Sequence, residues 1–260
     1  MSYDLQGTCI LLHGPPKVGK TALASSFPLT QFIATERGHN FIPEFQKNAL
    51  IRIKNWMDFE NLNKKFPQNV FTKDGKNVNA KTIVLDTVTS LYHKCFLHVC
   101  NEEKCTHPSK KGEYGRAIWN MIGNLFGDEL DKFVNNCVSL QATLILIDHS
   151  KEVELEVGAL TVSKLIVSFS EQTRRWVTPI PDHIWYLGYG VTNLNVKGAI
   201  QNFMDERMLV IRGGELIEAS TRDTKITTKT ICPLIEANRS TKTGGYYQIV
   251  QELSTKETKD

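Results

Sequence analysis

No charge of one sign dominates this chain. Across 260 residues, 31 lysines and arginines stand against 28 aspartates and glutamates, a formal net charge of +3. So even a balance supplies no general field for gripping a polyanion, and any contact with nucleic acid must come from a local patch. No apolar run approaches the length of a membrane span, so no membrane partner is expected. The first residues, Met1-Ser-Tyr-Asp-Leu-Gln6, carry no basic stretch ahead of an apolar core. No secretory signal is therefore read there, and a cytoplasmic location is expected. Internal repeats and Pro- or Gly-rich linkers are missing too. One domain over residues 1–253 is expected, followed by a disordered charged tail at 254–260.

Paired cysteines at metal-binding spacing are also lacking. The six present are Cys9, Cys95, Cys100, Cys105, Cys137 and Cys232, and no two form a C-x-x-C. Three of them alternate with histidines between His93 and His107, a density that invites a zinc site. The spacings do not match structural zinc patterns, and a helix would put Cys95 and Cys100 on different faces. Partly buried thiols beside solvent-facing histidines are expected there, and free thiols throughout.

What the chain does have is Gly14-Pro15-Pro16-Lys17-Val18-Gly19-Lys20-Thr21, a full G-x-x-x-x-G-K-T phosphate loop. An apolar strand, residues 8–13, precedes it. Ala22 opens the helical turns that follow. Backbone N–H groups of the loop and helix start point at phosphates in such a motif, where the helix dipole also favours negative charge. Lys20 reaches the β- and γ-phosphates, and the Thr21 hydroxyl ligates Mg²⁺. The two prolines have no N–H to donate, which assigns the cradle to residues 17–21. ATP with Mg²⁺ is the expected ligand.

Strands and helices alternate along the rest, the pattern of an α/β fold whose mainly parallel sheet is flanked by helices. Strands are expected at residues 31–35, 50–53, 81–86 and 142–148. Helices are expected at 56–66, 88–100 and 114–136, with a hairpin tip near Lys73–Lys76. Residues 151–179 read as an irregular, mobile excursion over the sheet. Strands at 183–189 and 207–212 close the sheet with antiparallel partners, and Thr243–Tyr247 reads as a hairpin turn.

Asp86 ends the near-continuous apolar strand Thr82–Leu85, where the carboxyl ends of such sheets hold their ligands. It is the candidate Mg²⁺-associated acid, the other reading being a cap for the next helix. Glu36 directly follows strand 31–35, placed to activate a water in line with the γ-phosphate, unless it is a surface carboxylate paired with Arg37. His149 follows strand 142–148 and is read either as a γ-phosphate contact or as a satisfied strand-end histidine.

Together, GPPKVGKT, FIATERG, TIVLDT and LILIDHS resemble RecA-like P-loop NTPases. The nearest likeness is to the phage RecA-like nucleotide-binding proteins of the single-strand annealing and recombination family. Trp56-Met-Asp-Phe59 and Tyr114-Gly-Arg-Ala-Ile-Trp119 match that family's W-x-D-F and tyrosine-glycine elements, and the likeness spans roughly residues 7–240. It implies a RecA-type core, ATP bound between subunits of a ring or filament, and engagement of single-stranded DNA in a host cytoplasm. A single-strand-binding protein would be a possible partner. By the same likeness Glu36 activates water, and His149 senses the γ-phosphate and leads into a DNA-binding loop. The family's late Lys/Arg finger is matched here by Arg222 alone, with Lys225 offset.

Two basic spots are candidates for DNA. Arg174, Arg175 and Trp176 offer two guanidinium groups and an indole, and Lys110, Lys111 and Arg116 lie beside Tyr114 and Trp119. The expected activity is ATP hydrolysis stimulated by single-stranded DNA. A helicase-like or helicase-loading ATPase and a small-molecule kinase are the alternatives. The missing arginine-rich lid and the strand-end Glu36 speak against the kinase.

Overall fold

The computed structural model describes residues 4–36, 50–66, 72–73, 76–77, 80–157, 160–196, 199–214, 216–224, 226, 230–231 and 245–254. Its strands are β1 (Cys9–Gly14), β2 (Thr30–Ala34), β3 (Leu50–Arg52), β4 (Thr72–Lys73), β5 (Lys76–Asn77), β6 (Thr82–Asp86), β7 (Thr143–Val157), β8 (Leu160–Val167), β9 (His183–Val196), β10 (Ala199–Val210), β11 (Ser220–Thr221) and β12 (Thr230–Ile231). The helices are α1 (Lys20–Ser25), α2 (Trp56–Lys65), α3 (Val88–Glu102), α4 (Tyr114–Ser139), α5 (Glu171–Val177) and α6 (Gly245–Ser254), with a 3₁₀ turn at Pro108–Lys111.

The main sheet runs β12-β10-β9-β1-β7-β6-β2-β3. From β9 to β3 the pairings are parallel, while β10 and β12 add antiparallel. The fold is therefore the expected mainly parallel α/β sheet with antiparallel strands late in the chain. Its strands are buried on both faces, so they read as apolar runs whose neighbours separate to opposite sides. Leu11, Ile33, Leu85 and Leu146 pack under α2, α3 and α4 with Trp56, Phe59, Leu91, Ile122 and Phe133. Ile10, Leu12, Phe32, Val84 and Ile147 pack on the other side with Leu23 of α1 and Ile249 of α6.

Local signals set the helix starts. Asn55 and Asp58 form a reciprocal capping box at α2, and the Thr87 hydroxyl caps α3. On the buried side of α4, Gly123 and Gly127 make room for the Trp176 ring: a Cβ on Gly127 would lie 2.3 Å from its Cε3.

Two expectations need correction. The chain does not become irregular after His149. β7 continues straight through it and folds back on β8, from Ser150 opposite Val167 to Val157 opposite Leu160. Gly245 and Tyr246 do not form a hairpin turn but open α6, whose Ile249 and Leu253 are buried. Ser254, expected to begin the tail, is instead the last residue of α6; residues 255–260, like Thr243 and Gly244, lie outside the described residues. Among the described residues no helix is long and apolar enough to cross a membrane.

Candidate nucleotide site

Strand β1 delivers Gly14 to the carboxyl edge of the sheet, wedged against β9. A Cβ there would lie 2.0 Å from the Leu187 carbonyl oxygen, so glycine is required by space. The loop then turns through Lys17 at φ 65 and Gly19 at φ 104, both left-handed, and enters α1. Pro16 and Lys17 face solvent, Val18 is buried, and the Ala22 carbonyl accepts the Ser25 hydroxyl at 2.8 Å. Lys20 is only 6% exposed, and its Nζ donates to the Gly14 and Pro15 carbonyls, each at 2.8 Å. Burial pulls its pKa down to about 8, against the opposing pull of Asp86, Asp148 and Glu36.

The sheet order decides what faces that lysine. β7 lies between β1 and β6, so Gly14 and Asp86, the last residues of their strands, flank His149 midway along β7. The Thr21 hydroxyl donates to Asp86 Oδ2 at 2.8 Å, joining the phosphate loop to the strand-end acid 65 residues away. Glu36, exposed just past β2, accepts the Thr87 hydroxyl on Oε1 at 2.6 Å. Thr35 in turn exchanges bonds with the Thr87 backbone, its hydroxyl donating to the carbonyl at 2.8 Å and accepting the N–H at 2.7 Å. The structure therefore brings Lys20, Thr21, Asp86, Glu36 and His149 to one rim.

The rim's chemistry suits a magnesium triphosphate. A hydroxyl and a carboxylate in contact are the hard oxygen pair that Mg²⁺ accepts, and the adjacent ammonium suits phosphate oxygens. His149 Nδ1 is buried with no hydrogen-bond partner among the described residues, a polar atom still to be satisfied. Burial and the nearby Lys20 charge lower the His149 pKa, which favours the neutral imidazole.

The family model of the AAA domain matches residues 6–222. The chain belongs to that family. As an AAA-type P-loop ATPase domain it carries the phosphate loop and the facing carboxylates inside the matched span. A KaiC-like protein from the hyperthermophilic archaeon Pyrococcus horikoshii OT3 is a similar solved structure. It has 17% sequence identity and a TM-score of 0.46, over 90% of this chain and 88% of that one. No curated protein matches this sequence.

Three residues of this AAA domain's site escape a reading of sequence. Asp148 is fully buried, and its carboxylate accepts the Thr89 N–H (2.8 Å), the Thr89 hydroxyl (2.9 Å) and the His149 N–H (2.6 Å). It pins the start of α3 to β7. Thr87 orients Glu36, as above. Arg207, on β10, donates from Nε to the Val18 carbonyl at 2.8 Å and so braces the phosphate loop. Only the sheet order puts β10 near that loop, and no spacing in the chain announces it.

Asp148 makes a measurable prediction. Burial lifts its pKa from 3.8 to about 6, with Glu36 adding to the rise against the three hydrogen bonds. The folded state then binds the extra proton between pH 4 and 6, so this group's stabilisation is lost as pH rises through that window, about 3 kcal/mol in all. Denaturant unfolding of Asp148→Asn should show the variant gaining about that much relative to the native chain between pH 4 and 7. An unchanged difference would mean the carboxyl titrates normally.

The remaining candidates separate. Arg174 forms a fork with Glu218, 2.6 and 3.1 Å, and also donates to the Val167 carbonyl at 3.0 Å. Its guanidinium is committed to holding α5 on the foot of the β7–β8 hairpin. Trp176 is 38% exposed, its ring resting on α4. Arg175 faces solvent beside Glu171, at 3.3 Å. Lys110, Lys111 and Arg116 are exposed, as is Tyr114, whose hydroxyl donates to Glu103 at 3.2 Å.

Arg222 lies 3.8 Å from Asp182 and bonds the Pro179 carbonyl. Asp182 also accepts the N–H of Cys9, the first residue of β1, so Arg222 sits at the opposite edge of the sheet from Gly14. That position removes it from this chain's own phosphate loop. Lys225 lies outside the described residues.

Of the three histidines between 93 and 107, two meet aromatic rings, and His98 Nε2 lies 3.4 Å from Glu102. His93 stacks on Phe96, and His107 meets both Phe96 and Trp119. Among the described residues no group of three or more His, Cys, Asp or Glu is placed to hold an ion.

Proposed function

We propose that this AAA domain hydrolyses ATP and couples the turnover to single-stranded DNA. The observation that carries the hydrolytic reading is the Thr21–Asp86 contact at 2.8 Å, on the same rim as Glu36 held by Thr87 at 2.6 Å. Lys20 binds the β- and γ-phosphate oxygens and stabilises charge as the terminal phosphoryl group transfers. Glu36 takes a proton from the attacking water as its oxygen bonds to the γ-phosphorus and the bond to ADP breaks. Thr21 and Asp86 would hold Mg²⁺, which when bound supplies positive charge against the phosphates. His149, neutral and with Nδ1 free to turn to a phosphate oxygen, reports the bound triphosphate to the β7–β8 hairpin that grows from it. Arg222, on the far edge, would act on the site of a neighbouring copy in a homo-oligomer.

Support for DNA comes from the motif order shared with RecA-like annealing proteins and from the exposed group Lys110, Lys111, Arg116 and Tyr114. The β7 arm of the hairpin alternates Glu152, Glu154 and Glu156, which would repel phosphate, and Arg174 is engaged internally. We therefore place the main phosphate contacts at the Lys110–Arg116 patch, with Arg175 as a smaller contributor. Steady-state phosphate release with and without an oligonucleotide tests the coupling; equal rates, with no DNA retained in a filter-binding assay, would refute it. Lys110→Ala with Lys111→Ala should weaken binding uniformly across sequences and reduce the salt slope by about 2. An unaltered slope would move the contact elsewhere.

A further inference from the structure

Helix α3 ends in a backbone pattern that brings two cysteine residues together, well away from the nucleotide rim. Lys104 adopts a left-handed conformation, φ 48. Its N–H donates to the Asn101 carbonyl at 3.2 Å, and the Cys105 N–H donates to the Cys100 carbonyl at 2.9 Å. These nested bonds are a Schellman ending, a geometry in which the third residue from the helix end and the second residue beyond its cap commonly touch. Both positions are cysteine here.

The two differ in access. Cys100 is 2% exposed, whereas Cys105 is half-buried and open on one side. Cys9, Cys95 and Cys137 are all buried free thiols, and Cys95 is turned instead toward the Ile122 carbonyl at 3.7 Å. Among the described cysteines, only this pair combines a backbone hydrogen bond between the two residues with a route to solvent.

We propose that Cys100 and Cys105 are a thiol-oxidation site, closing to a reversible disulfide when the protein meets a hydroperoxide. The accessible Cys105 thiolate attacks the peroxide oxygen, giving a sulfenic acid and releasing the alcohol (water, from hydrogen peroxide). Cys100 then attacks that sulfur, the S–O bond breaks, and water leaves with the proton lost from Cys100. Two thiols have given up two electrons and two protons, and the peroxide has taken them up. A dithiol reductant reverses the change by exchange. The 2.9 Å backbone bond already holds the two residues within the reach such a bond requires. Closure ties the end of α3 to the segment that leads to Pro108–Lys111 and Tyr114.

The trypsin sites make the test direct. Cleavage after Lys94, Lys104 and Lys110 yields peptides 95–104 and 105–110, one cysteine of the pair on each. The full chain is treated with hydrogen peroxide at neutral pH, blocked with a maleimide and digested without reductant. The expected product is the two peptides joined and two hydrogens lighter than their sum. Cys95→Ser and Cys232→Ser should retain the joined peptide, and Cys100→Ser should lose it. A joined peptide that survives in Cys100→Ser, or none in the oxidised native chain, overturns the proposal. A second readout needs no variant: the rate of maleimide labelling at Cys105 should fall at least about tenfold on oxidation and recover with dithiothreitol. An unchanged rate would overturn the proposal equally.

Discussion

Lys20→Ala should abolish productive ATP turnover while leaving the fold intact. In the proposed mechanism the ammonium is the charge aimed at the transferring phosphoryl group, and removing one such preorganised donor costs roughly 10²–10³-fold in rate. Its loss from the ground state should also weaken ATP binding. Stability should respond very differently. A lysine whose pKa falls from 10.5 to about 8 costs the folded chain about 3 kcal/mol at neutral pH, because water solvates the ammonium better than the loop does. Alanine relieves that cost but frees the Gly14 and Pro15 carbonyls from their partner, a loss of similar size.

The two effects should leave the variant within about 1 kcal/mol of the native chain at pH 7. The pH dependence separates them. Between pH 8 and 10.5 the unfolded chain holds the lysine proton that the folded chain has released, so the native protein gains stability as pH rises, and the variant does not. Denaturant unfolding of both chains across that window, beside an ATPase assay, checks the two halves together. Turnover retained in Lys20→Ala would remove the nucleotide from this rim.

Glu36→Gln should retain ATP binding and slow hydrolysis by roughly 10²–10⁴-fold, the range for losing a positioned general base. The amide oxygen can still accept the Thr87 hydroxyl, so the side chain keeps its place and only the basic lone pair is lost. A fall in kcat at nearly constant KM is the expected signature in steady-state assays. Unchanged kcat would direct attention to Asp148, another carboxylate close to Lys20. A rise in KM alone would make Glu36 a binding residue rather than a base.

Much of the site could be read from the chain because its parts are local. The phosphate loop is contiguous, and its glycines answer to space and backbone angle at Gly14 and Gly19. Asp86 and Glu36 end apolar runs whose boundaries are visible. Two elements were misread for one reason: a strong compositional cue outweighed a weaker periodicity. Lys151 to Val157 is polar in composition, yet Glu152-Val153-Glu154-Leu155-Glu156-Val157 alternates strictly, the period of a strand. Gly244-Gly245 looked like a turn, yet Tyr246, Ile249, Val250 and Leu253 recur at helical spacing, and the Tyr246 N–H bonds Ser26 on α1.

Acting alone, the amino-acid order determined that a strand, a glycine-rich turn and a lysine-bearing helix would form a phosphate cradle, since each depends on neighbours a few residues apart. Tertiary structure alone decided which distant groups surround that cradle. β7 inserted between β1 and β6 sets Asp148 and His149 between the ends of those two strands, and β10 carries Arg207 to the loop. It also spent Arg174 on Glu218 and put Arg222 on the far edge. Charge and residue type advertise what a side chain can do, but the partner it meets is set by sheet order and register, which sequence distance does not encode.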